Sequence, residues 1–279
     1  MSALYELIEV EPGRRLQVSV SGPVDAPCVI FDHGAFGMIA DGWWIRQRLS
    51  ANWRVMLYSR AGMGWSDPQP ADARMTPDWH VKDLRRLTRL LDLQPPFVLV
   101  GHSMAGLRLH AYASAHPDDI AGLVYVDAMH PKEACSPGGR KLMGLFGGLL
   151  RAGRLAARLG LTNALVAFEK DNIDLPPELK PHKRRAFVSE PHWHAALREI
   201  AELDYDALIA NSAAPIAKPV VVFSLDKNGG EHARTARDAK AAGLYSELRA
   251  MPEQSHTSFL NPAGAQRIAA AVARMSLQF

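Results

Sequence analysis

Four apolar residues, Phe97–Val100, run straight into Gly101-His102-Ser103-Met104-Ala105-Gly106, and a helical pattern, Leu107–His116, follows at once. A short apolar run that ends on glycine reads as a strand buried on both faces, and a helix leaving it so soon belongs to a parallel sheet covered by helices. The same alternation recurs along the chain. Cys28–Phe31, Arg54–Tyr58, Ile120–Val126, Val220–Leu225 and Tyr245–Met251 read as strands, and Trp43–Ala51, Pro77–Leu93 and Pro262–Met275 as helices. In Pro77–Leu93, Val81, Leu84, Leu87 and Leu91 fall on one helical face with Lys and Arg opposite. Tyr5–Val10 and Arg15–Val20, joined by Glu11-Pro12-Gly13-Arg14, form a hairpin at the start. The expected fold is α/β: a mostly parallel central sheet with helices on both faces.

The alternation breaks at Ala128. From there to about Ala214 no strand pattern occurs, while Lys141–Leu161 and Trp193–Ile209 look helical around Leu175-Pro176-Pro177. This predicts a core made of residues 1–127 and 215–279 and a helical cap over 128–214. Leu142, Leu145, Phe146, Leu149, Leu150, Phe168, Phe187 and Trp193 would give the cap an apolar face, turned to a substrate pocket or spent on helix packing. Arg151, Arg154 and Arg158 read as a solvated helix face, with an anionic substrate or a membrane surface as the alternatives.

Hydrophobic residues make up 48% and charged residues 22% of the 279, which suits a folded domain with a substantial core. A net charge of +3 with no clustered basic face implies no nucleic-acid partner. The acidic first residues have no signal-peptide pattern, and no apolar run is long enough to span a membrane. Cys28 and Cys135 lack metal-site spacing, and so few cysteines fit a reducing, cytoplasmic setting. A homo-oligomer is compatible with all of this.

A serine on a tight strand-to-helix turn, with small neighbours at Gly101, Ala105 and Gly106, is what an exposed nucleophile requires; a helix-capping serine is the simpler alternative. Over essentially its whole length the chain resembles the α/β-hydrolase superfamily. The matching segments, in order, are Asp32-His33-Gly34-Ala35, Ser59-Arg60-Ala61-Gly62-Met63-Gly64-Trp65-Ser66, Gly101-His102-Ser103-Met104-Ala105-Gly106, Gly122-Leu123-Val124-Tyr125-Val126-Asp127 and Ser255-His256. Ala105 stands where a second glycine is usual, and Ser59 where relatives often carry Asp.

The resemblance implies a serine hydrolase. Ser103 is the nucleophile, and His256, between the last strand and the closing helix, is the base. The acid is Asp127, a lone carboxylate ending an apolar strand, with Asp226 the alternative. The amides of Ala35 and Met104 form the oxyanion hole. Among the other histidines, His33, His102, His192 and His194 fit loop, elbow and cap positions, and His130 is a candidate to line the pocket. His80, His110, His116, His182 and His232 read as ordinary, partly exposed residues.

The expected reaction is cleavage of a small ester-like substrate through an acyl-enzyme, with no cofactor and no metal. The same machinery would serve a lactone, an amide, a carbon–carbon bond or perhydrolysis. A serine at the elbow speaks against epoxide hydrolases and haloalkane dehalogenases, whose nucleophile is Asp. A non-catalytic ligand receptor on the same fold is the alternative from another class.

Overall fold

A computed structural model describes residues 5–165, 173–213 and 215–276. β1 (Glu6–Glu11) and β2 (Arg14–Ser21) pair as an antiparallel hairpin, and β2 continues antiparallel onto β4 (Arg54–Tyr58). β3 (Cys28–Asp32), β5 (Phe97–His102), β6 (Ile120–Val126), β7 (Val220–Ser224) and β8 (Ser246–Ala250) run parallel to β4. The eight-stranded sheet has the order β1-β2-β4-β3-β5-β6-β7-β8.

The period-two alternation of the strands divides the core. Val29, Phe31, Val98 and Val100 point to the face covered by α1 (Trp43–Leu49) and α11 (Pro262–Ser276). Ile30, Met56, Phe97 and Leu99 point to the face covered by α2 (Pro77–Leu90), α3 (Ala105–Ala115) and α10 (Gly230–Ala241). Helix α10 has no counterpart in the sequence reading. Its two leading glycines and dense charges hide an inward stripe consisting mainly of alanines, Ala233, Ala236 and Ala239.

Between β6 and β7 the described residues form α4 (Pro131–Cys135), α5 (Pro137–Arg158), α6 (Thr162–Leu165), α7 (Lys180–Val188), α8 (Glu190–Ala201) and α9 (Tyr205–Asn211), with no strand. The expected helix Trp193–Ile209 is two helices. Asp204 caps α9 by accepting the Ala207 amide at 3.0 Å, which ends one helix and starts the next. Helix α7 was not expected; Pro181 occupies its first turn, where proline is tolerated. The apolar faces of this segment form no separate core, since Met143, Leu150, Ala196 and Ile200 belong to the same buried cluster as Leu99 and Leu107. Leu145 and Leu149 face solvent, and Phe168 lies outside the described residues. Arg154 is spent on an ion pair with Glu190 at 2.5 Å.

The sheet register sets the site. Asp32 is level with Gly101, and His102 with Val126, so the loops leaving β3, β5 and β6 emerge side by side at the carboxyl edge.

Candidate active site

Strand β5 ends where Ser103 adopts φ +57°, a left-handed conformation that costs a non-glycine residue about 1–2 kcal/mol. Tight packing holds it there. The Ser103 carbonyl accepts the amides of Met129 at 2.8 Å and Gly106 at 3.1 Å, and its amide donates to Val126. A methyl group at Gly106 would sit 2.3 Å from the Met129 carbonyl, so this glycine lets the loop after β6 cross the elbow. Ala105 is buried without difficulty: its Cβ is 3.2 Å from where a Gly101 methyl would lie, so Gly101 carries the constraint that the missing second glycine would otherwise share.

The amides of Ala35 and Met104 donate to nothing among the described residues. Each is aimed by its own planar trans peptide, in which N–H and C=O point opposite ways. The Ser103 carbonyl is pinned by Met129 and Gly106, which turns the Met104 N–H away from them. The Gly34 carbonyl accepts Arg60 Nη2 at 2.9 Å, which turns the Ala35 N–H away from Arg60.

Arg60 is fully buried. It forms a fork with Glu199 on α8 at 2.6 and 2.9 Å, and its Nη1 reaches Asp32 and the His33 carbonyl, each at 2.7 Å. Arg108 on α3 takes the other Asp32 oxygen at 2.6 Å and the His33 carbonyl at 2.8 Å. Two guanidinium and two carboxylate groups thus neutralise one another beneath the loop. Asp32 and Arg60 fall in the segments that resemble the superfamily, but the sequence alone gives none of the four a role; for Arg108 the signal was arginine and histidine inside the otherwise small and apolar helix around Leu107–Ala113. Helix α8 touches the loop again through His192, whose Nδ1 accepts the Gly64 amide and whose Nε2 donates to the Phe36 carbonyl. Ser59 supports the same region by donating to Gln17 at 2.8 Å and accepting the Ile39 amide at 3.0 Å.

Gly34 passes so close to the elbow that an added Cβ would meet Ser103 Cβ at 2.8 Å and Oγ at 3.4 Å. Gly34→Ala is expected to push the Ala35 amide away, lowering kcat by about 10²–10³ and costing about 1–3 kcal/mol of stability. Unchanged ester turnover in this variant would remove Ala35 from the site.

His256 follows β8 and places Nδ1 2.5 Å from Asp127 Oδ2, while Asp127 Oδ1 accepts the Leu225 amide at 3.1 Å. Asp127 also has a positive φ, +41°, which turns the carboxylate back across the sheet edge. Burial raises the Asp127 carboxyl, but the hydrogen bonds from His256 and Leu225 and the charges of His256 and His102 override it, leaving it below its ordinary range. Asp226 is elsewhere. It is exposed and accepts the Asn228 amide at 2.9 Å within its own turn.

His102 lies beside His256 with its ring tilted, centroids 4.6 Å apart, and donates Nε2–H to the His256 carbonyl at 2.9 Å. Burial, then the charge of His256, hold His102 down at about 4, so it is a neutral donor at ordinary pH. Four histidines sit otherwise than expected. His80, His110 and His232 are buried, because they fall on the inward faces of α2, α3 and α10. His130 is buried too and lines a different cavity from Ser103, because its ring caps α4.

Ser103, His256, Gly34, Ala35 and Met104 line one cavity of about 920 Å³. Leu142, Met143 and Phe146 of α5 and Ile173, Leu175 and Pro177 form much of its apolar wall. Lys180, Lys183 and Arg184 of α7 bring cations to it, and Lys183 pairs with Asp41 at 2.5 Å. Arg151, Arg154 and Arg158 do not line it.

A family model described as the alpha/beta hydrolase fold matches residues 27–260. The chain belongs to that family. Within the α/β hydrolases, whole-chain likeness extends to the epoxide hydrolase CorEH (15% identity, TM-score 0.75, 98% of each chain). It extends also to a thermophilic esterase from Thermogutta terrifontis (22%, 0.68, 99% of this chain and 98% of that one). An enol-lactonase from Burkholderia xenovorans LB400 is similar at 17% and 0.68, over 98% and 100%. At such identities the likeness is one of fold.

Among curated sequences, 119 residues are 33% identical to the probable transporter efuK of Hormonema carpetanum, covering 40% of this chain and 17% of that protein. A stretch of 100 residues is 29% identical to the uncharacterized protein YqjL of Bacillus subtilis (strain 168), covering 36% of this chain and 38% of that one. The matched stretches thus span well under half the length of these relatives. Among the described residues no helix is long and apolar enough to cross a membrane.

Proposed function

We propose that this α/β hydrolase is a serine hydrolase that cleaves a small ester-like substrate through an acyl-enzyme on Ser103. The observation that carries the reading is the Asp127–His256 hydrogen bond, 2.5 Å long, on the cavity that Ser103 also lines. With Nδ1–H donated to Asp127, His256 keeps Nε2 as the base. It takes the proton of Ser103 as Oγ attacks the carbonyl carbon, and the amides of Ala35 and Met104 receive the negative charge on the carbonyl oxygen. The imidazolium returns its proton to the departing alcohol. Water then attacks the acyl-enzyme by the same route in reverse and frees the acid and Ser103.

Helices α4–α9, within residues 128–214, act as the cap over the core of 1–127 and 215–279, and the apolar wall from α5 suits an apolar acyl or alcohol group. The esterase and lactonase likenesses agree with acyl transfer. Epoxide opening is disfavoured because the elbow carries a serine.

A fluorophosphonate probe is expected to label Ser103 stoichiometrically, and short p-nitrophenyl esters to turn over with a rate that vanishes in Ser103→Ala. Labelling at another residue would overturn the nucleophile assignment. Tight ligand binding with no turnover of esters or lactones would make the protein a receptor.

A further inference from the structure

The catalytic cavity does not account for a second cluster of reactive side chains. His110 on α3, His130 at the N-terminus of α4 and His232 on α10 converge from three elements, each offering one ring nitrogen within 4.8 Å of the others. All three are buried. Their ring centroids are 4.4 Å apart for His110 and His130, 4.9 Å for His130 and His232, and 5.5 Å for His110 and His232. The ring of Tyr125 on β6 stacks on His232 at 3.9 Å.

Both ring nitrogens of His110 and the Tyr125 hydroxyl are buried with no hydrogen-bond partner among the described residues, and His232, with one ring nitrogen turned to the Met129 carbonyl, leaves its other nitrogen bare. Native interiors rarely leave such atoms unpaired, at about 1–3 kcal/mol each, so four in one place call for something that binds them. None of the three histidines lines the Ser103 cavity. They are not part of the hydrolytic machinery.

We propose that His110, His130 and His232 form a site for a divalent transition metal of the zinc type. Imidazole nitrogen is the ligand preferred by such ions, and three of them leave a fourth position open. His110 and His130, though not His232, also line a cavity of about 140 Å³ together with Glu231 and the cations Lys132 and Arg234. Glu231 Oε2 is buried beside this cavity, 3.5 Å from Arg234 and outside the group of three histidines, so water completes the set.

Ligand atoms around tetrahedral zinc stand about 3.4 Å apart, given bonds of about 2.0–2.1 Å, so the rings must close by roughly an ångström on loading. His130 must also change. Its Nδ1 accepts the Lys132 amide at 3.1 Å, so the neutral ring carries its proton on Nε2. To bind through Nε2 it moves that proton to Nδ1 and gives up the amide, which sets one cap bond of α4 against the metal bond. Occupancy ties α3, which starts at the nucleophile elbow, to the loop that follows Asp127.

The test uses untagged full-length protein, stripped with chelator and then exposed to Zn²⁺ or Co²⁺ alone. One zinc per chain is expected at micromolar or tighter Kd, with a rise in Tm and with the strong visible bands of tetrahedral cobalt. His110→Ala and His232→Ala should each weaken binding by more than about 100-fold, beyond what loss of an outer-shell partner does. Binding that is absent, or unchanged in both variants, overturns the site and leaves the cluster to buried water. Should a variant fail to fold, the cobalt spectrum of the wild type decides, since weak octahedral bands or none refute three-histidine ligation.

Discussion

Asn in place of Asp127 is expected to lower kcat on an ester about 10⁴-fold, the scale of loss when a triad acid becomes an amide, and Asp226→Asn to leave it near the wild-type value. Asp127 Oδ2 receives Nδ1–H of His256, so the free Nε2 lone pair depends on that carboxylate. An amide nitrogen facing Nδ1 favours the other tautomer, with the proton on Nε2 and no base for Ser103. KM should change little, since Asp127 does not line the cavity. Asp226 holds only its own turn, through the Asn228 amide. Equal, mild losses in the two variants would refute both carboxylates as the acid. A loss confined to Asp226→Asn would reverse the assignment.

What could be read from the chain before folding was what neighbours in sequence decide. Phe97–Val100 followed by Gly101 specified a buried strand and a turn, and the lone carboxylate ending Ile120–Val126 marked Asp127 as needing a partner. The antiparallel start was legible because Glu11-Pro12-Gly13-Arg14 separates two alternating runs. Groups that meet only through the fold were not legible. Glu199 lies 139 residues from Arg60, and nothing around either announces the fork between them. His110, His130 and His232 sit on three elements; His110 and His232 each alone look like an ordinary surface histidine, and His130 like a pocket-lining one. The α10 stripe escaped for a different reason: alanine is too weakly hydrophobic to mark an inward face.

The Glu199–Arg60 pair carries the second large expectation. Glu199→Ala should lower stability by about 3–5 kcal/mol, because it leaves Arg60 buried with only Asp32, which Arg108 already shares. It should also lower kcat more than it raises KM, since Arg60 aims the Ala35 amide by holding the Gly34 carbonyl. Acid supplies an independent check. Burial raises the Glu199 carboxyl, but the charges of Arg60, His80 and Arg108 and the hydrogen bonds from Arg60 override it and pull it down to about 2. A folded pKa below the ordinary 4.5 gives stability that is fully present above about pH 4.5 and is lost as pH falls through 2. The wild-type advantage over Glu199→Ala should therefore be constant from pH 7 to 5 and narrow below 4.5. Neutral buried histidines whose shifts do not depend on Glu199, such as His33 and His102, destabilise both proteins in acid, so their effect cancels in the difference. Urea titrations of the two proteins across this range decide it. A difference under about 1 kcal/mol at pH 7, the size of an exposed ion pair, would mean that the pair contributes no more than a surface contact, and the aiming of the Ala35 amide would then have to come from Arg108 and the loop backbone.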